Sequence, residues 1–145
     1  MRTFHENMLF AEVFPPAAWA DGTVPASYID LADYERVVFL IMTGAMDTGD
    51  IVAAQVVQAT DAAGTGSKVI TGATITDLTL TDDDALATIE VRDTALDVEN
   101  GFRFVSLTID ETNSPGFGCV IALLYKGGGL PPTQPATYVE QVEVS

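Results

Sequence analysis

Residues 85–109 read ALATIEVRDTALDVENGFRFVSLTI. At the start of this stretch Ala87, Ile89 and Val91 alternate with Thr88, Glu90 and Arg92. That period of two predicts a strand with one buried and one wet face. At its end Val105, Leu107 and Ile109 share one side, while Phe102 and Phe104 share the other with Ser106 and Thr108, again as a strand requires. Between them stands Asn100-Gly101. Both residues accept positive φ, so the pair predicts a two-residue hairpin turn joining a segment that ends near Glu99 to a strand that begins at Phe102. The stretch reads as antiparallel β structure.

Towards the C-terminus, Gly118–Lys126 carries the apolar run Cys119–Leu124 and is stopped by Gly127–Gly129, which predicts the last core strand. Leu130-Pro131-Pro132-Thr133-Gln134-Pro135 then reads as an extended tail, followed by Thr137–Val144, where Val139, Val142 and Val144 alternate with one slip of phase,. Towards the N-terminus, Asp82-Asp83-Asp84 supplies a turn and the threonine-rich segment Val69–Thr81 is β-prone,. Ile51–Gln58 mixes alanines, which suit a helix, with valines, which suit a strand,. The loop Asp61–Ser67 behind it favours a hairpin. Arg36–Thr43, closed by Gly44, is a β-branched run expected to form a buried strand,. Before Tyr28, aromatics are scattered around Pro15-Pro16 and Pro25, which predicts an arm with one short strand. The expected architecture is mainly β, an antiparallel β-sandwich or jelly roll. Residues 1–28 are expected to form the arm and first strand, 29–129 the sandwich core, and 130–145 the extended tail of a single domain.

With 145 residues, 48% hydrophobic and 19% charged, the chain can bury enough apolar surface to fold as one unit. Twenty-one acidic residues against six basic ones give a net charge of -15. That charge repels phosphate backbones, so no direct nucleic-acid partner is expected. The longest aliphatic run, Val37–Met42, is far short of the ~20 residues of a membrane span. The N-terminal residues lack the build of a signal peptide, and a soluble chain with no membrane partner is expected.

Catalytic and metal constellations are not in evidence. His5 is the single histidine and Cys119 the single cysteine, too few for a transition-metal set or a serine-histidine-acid triad. His5 reads as a residue of the arm and Cys119 as a small buried hydrophobe. Asp82–Asp84 offers hard oxygen ligands for calcium, but three adjacent aspartates point in different directions, and a solvated turn is the expected role. No pair of the 21 acids stands out as a glycosidase pair. No metal, cofactor or enzymatic activity is expected.

The order of segments Phe4-His5-Glu6-Asn7, Ile29-Asp30-Leu31-Ala32-Asp33-Tyr34-Glu35-Arg36, Ala87-Thr88-Ile89-Glu90-Val91-Arg92 and Phe102–Ile109 resembles the small head-gene proteins of tailed bacteriophages. Among these it looks most like capsid decoration, or cement, proteins. The resemblance covers roughly residues 4–126 as an order of β segments, a likeness of fold. It implies a structural virion protein on the outer surface of the shell, soluble in the host cytoplasm before assembly. It also implies the major capsid protein as partner and a homo-oligomer, in this family often a trimer. Phe10, Phe14, Trp19 and Tyr138, on the terminal segments, are the interface residues this role would use. Two other readings compete: a head-completion or tail component, and a carbohydrate-binding β-sandwich built on Trp19 and the tyrosines Tyr28, Tyr34, Tyr125 and Tyr138.

Overall fold

The computed structural model describes residues 7–19, 22–113 and 116–126. They form nine strands: β1 (Met8–Ala18), β2 (Gly22–Pro25), β3 (Ile29–Asp30), β4 (Arg36–Thr43), β5 (Ile51–Ala59), β6 (Lys68–Thr74), β7 (Leu86–Arg92), β8 (Phe104–Thr112) and β9 (Phe117–Tyr125). Sheet A has the order β1-β9-β4-β7 and sheet B the order β2-β8-β5-β6, with β3 also paired to β8. Every pairing is antiparallel.

The order follows from one folded ribbon. β2 meets β8 from Gly22↔Glu111 to Pro25↔Thr108, and β3 continues at Ile29↔Val105, so the two act as one edge strand with a single step in register. The half β1, β2/β3, β4, β5 then lies antiparallel to the half β9, β8, β7, β6, with successive pairs in alternate sheets. Rolling this ribbon places β4 beside β9 and β5 beside β8. The result is a jelly roll.

Inward residues come from the alternation along each strand. Val37, Phe39 and Ile41 of β4, Val52, Ala54 and Val56 of β5, Val105, Leu107 and Ile109 of β8, and Val120, Ala122 and Leu124 of β9 are all buried between the sheets. Each large aliphatic or aromatic side chain contributes about 1.5–3 kcal/mol when removed from water. Ile51–Ala59 is a strand, paired antiparallel with β6. Its turn is held by Asp61, whose Oδ1 accepts the amides of Ala63 and Thr65 at 2.9 and 3.0 Å.

Two expectations are corrected. Asn100-Gly101 does not close a hairpin. Val98–Asn100 is a 3-10 turn, and Gly101, at φ 82 and ψ 9, ends it, while β7 and β8 belong to opposite sheets. The positive φ that a hairpin demands also terminates a helical turn, and here the chain is crossing from one sheet to the other. Residues 8–18 are not an arm with one short strand but a sheet A strand along β9, whose Leu9, Ala11, Val13 and Phe14 pack on the core. Pro15-Pro16 is tolerated because β1 is an edge strand that breaks register between Phe14 and Ala17,. The tail expected at 130–145, with Tyr138, and the opening residues, with His5, lie outside the described residues.

A candidate assembly face

Antiparallel register places directly opposed residues on the same face of a sheet, so the outer face of sheet A can be read in rows. The first row is Met8–Tyr125–Arg36–Arg92, and the second is Phe10–Leu123–Val38–Glu90. The third contains Ile121–Leu40–Thr88, and the fourth Cys119–Met42–Leu86. Beyond the fourth row Phe117 ends the column of β9. Leu86, Phe117, Met42 and Ile121 are 57%, 52%, 47% and 39% exposed, and what distinguishes them from comparably exposed residues such as Val98 is that they share one face as a contiguous patch, the kind of surface that marks an interaction site. Val38, Leu40, Leu123 and Cys119 between them are half-buried.

Sheet B presents a different outer surface. Its rows pair Val57 with Ser106, Gln55 with Thr108, Ala53 with Asp110 and Ile51 with Thr112. Polar groups there alternate with Ile51 and Val69, 37% and 50% exposed, and Ser106 is covered, its hydroxyl donating to the Ala26 carbonyl at 2.8 Å. Sheet A carries the larger cluster of exposed apolar side chains.

The two ends of the sheet A face differ in shape and charge. Between Met8, Arg36, Val38, Leu123 and Tyr125 lies a hollow of about 310 Å³. It is lined by Arg36, which pairs with Glu90 at 3.0 Å and sits 5.6 Å from the centre of the Tyr125 ring; exposed Arg92 follows Arg36 in the same row. At the opposite end stand the protruding Met42, Leu86 and Phe117 and the acidic turn before β7. Groups with displaced proton affinity lie elsewhere. Hydrogen bonding from Thr65 holds Asp61 below the usual carboxylate range. Asp97 is held down first by Lys68 and then by Asn100, and burial raises Tyr34.

The residues singled out from sequence are dispersed. Phe10 is half-buried on the outer face of β1, whereas Phe14 packs on the core side of the same strand. Trp19 is 5% exposed and belongs to the core, which leaves it no part in an exposed aromatic platform. Cys119, expected as a buried hydrophobe, is half-buried on the outer face of sheet A, opposite Met42. In the Asp82–Asp84 turn, Asp82 Oδ2 accepts the Thr79 amide at 2.9 Å and Asp83 Oδ1 the Met46 amide at 2.7 Å. Among the described residues no three His, Cys, Asp or Glu side chains converge as metal ligands. Sequence reasoning missed Val38, Leu40, Met42, Leu86, Phe117, Ile121 and Leu123 as surface residues. The signal for those on β4 and β9 was present, because these strands read as continuous apolar runs and not as alternating ones.

No protein-family model matches the chain, and no curated protein does. Among solved structures it is similar to a chain in the structure of infectious bursal disease virus, Gx strain, with a TM-score of 0.51 and 12% identity over 86% of this chain and 33% of that one. A chain from the Gt strain of the same virus aligns with a TM-score of 0.41 and 12% identity over 87% and 31%. The chain thus spans about a third of the viral chains it matches. The Gx-strain likeness shows a shared fold.

Proposed function

We propose that this chain is a structural virion protein of the decoration, or cement, kind, which binds the outer surface of a tailed-phage capsid and stabilises the shell by bridging capsid subunits. The observation that carries this reading is the apolar outer face of sheet A. A jelly roll left alone in water has no use for Leu86, Phe117, Met42 and Ile121 on one sheet, whereas a subunit of an assembly does. The fold shared with a chain of a virus structure supports the same reading. A net charge of -15 suits a protein on the outside of a particle, away from the packaged genome and repelling other particles. Each attachment can be modest, because an oligomer that engages several capsid subunits gains from high effective concentration.

The test is to mix the purified chain with undecorated heads and image the particles. Density repeated over the shell lattice is expected, reduced for Ile121→Asp. Density confined to the tail vertex would support a head-completion or tail component instead, and binding to polysaccharide but not to heads a carbohydrate module.

A further inference from the structure

We propose that the outer face of sheet A is covered by a second copy of this chain, stacked face to face about a two-fold axis that crosses the strands along the row Ile121–Leu40–Thr88. The inference rests on the assembly role proposed above and names the partner of that face.

On β4 and β9 the two ends of the face are complementary to each other. At one end Leu86, Phe117 and Met42 protrude, exposed by 57%, 52% and 47%. At the other lies the hollow of about 310 Å³ lined by Met8, Arg36, Val38, Leu123 and Tyr125. Rotation about an axis across the strands lays each strand over its own copy and reverses its direction. Residues equally far from the central row then face each other, so Phe117 meets Tyr125 at the hollow and Met42 meets Val38, while on β7 Leu86 meets Glu90, whose carboxylate is paired with Arg36. Beyond the start of β7, the exposed acidic turn with Asp84, whose amide donates to the Gly44 carbonyl at 3.3 Å, comes towards Arg92. Arg36 is already paired with Glu90, so Arg92 is the cation that answers Asp84. A two-fold contact makes each of these matches twice, because only an isologous interface applies one patch to itself. A three-fold arrangement of this face cannot.

The contact is small. Four strands about 4.8 Å apart and about seven residues long outline roughly 450 Å², below the ~800 Å² per partner of a standard interface. The pair is therefore weak in dilute solution and forms at the high local concentration of a decorated surface.

Sedimentation velocity of the full chain from about 1 µM to about 1 mM reads the association directly. A concentration-dependent dimer is expected. Phe117→Asp and Ile121→Asp, both at exposed positions, should weaken it at least tenfold with unchanged melting temperature. Arg92→Asp sets like charges opposite each other and should also weaken it. Adding Asp84→Asn, a residue that tolerates the positive φ of 51 found there,, should recover part of the loss. A chain that stays monomeric, forms trimers, or dimerises indifferently to Phe117→Asp overturns the proposal. A monomer that still coats heads overturns the pair and leaves the assembly role standing. A Phe117-dependent dimer that coats nothing sustains the pair and removes the attachment.

Discussion

Gly118 lacks a side chain because its neighbours leave no room for one. A Cβ built there would lie 2.6 Å from the Met42 carbonyl oxygen and would meet the Trp19 ring as well. A backbone oxygen inside a sheet cannot move aside cheaply, so Gly118→Ala is expected to cost about 1–3 kcal/mol. It should appear as a lower urea midpoint with unchanged slope, and an unchanged midpoint would mean that neither the Met42 carbonyl nor the Trp19 ring closes over Gly118. Asp97 offers a second test. It pairs with Lys68 and accepts from Asn100 Nδ2 at 2.8 and 3.0 Å, while its own amide donates to Oε1 of the buried Gln58 at 2.8 Å. These contacts lower its folded pKa, so its contribution is present above the unfolded carboxylate value near pH ~4 and is lost as pH falls through the folded value. Asp97→Asn should lower the melting temperature at pH 7, and the deficit should shrink on acidification to about pH 2. A deficit independent of pH would remove the ion pair as its cause.

The strands show which patterns carried the fold and which misled. Alternation placed Ile89 and Val91 inward on β7 and Val105, Leu107 and Ile109 inward on β8, because a sheet with one buried face writes its period directly into the chain. Asn100-Gly101 misled because positive φ serves both a hairpin and the end of a 3-10 turn, and the choice depends on which sheet the next strand joins. On β4 and β9 the residues Val37–Met42 and Cys119–Leu124 are apolar at every position. Such a run suits a strand covered on both faces, and only the register showed that its outer face is open. The prolines of β1 hid a strand that contributes Leu9, Ala11, Val13 and Phe14 to the core. Deletion of residues 1–20 therefore exposes β9 and should abolish cooperative unfolding. Cooperative unfolding of the 21–145 fragment at the full-length midpoint would contradict this role for β1.

The molecule as a whole combines one apolar face with a net charge of -15, and the two act in opposite directions when copies meet. Long-range repulsion is screened as the Debye length falls from about 30 Å at 0.01 M salt to about 8 Å at 0.15 M, while apolar burial does not depend on that screening. Self-association measured by sedimentation should therefore strengthen over this range of salt. Weakening would assign the contact to ion pairs instead. The chain's single cysteine supplies the most direct probe, because Cys119 lies half-buried on the outer face of sheet A, opposite Met42. The measurement is the rate at which a maleimide alkylates Cys119 in the free, dilute chain and in the chain assembled on heads or at high concentration. If the outer face of sheet A is the assembly surface, alkylation slows when the chain assembles and recovers on dilution. An equal rate in the free and assembled states would contradict it.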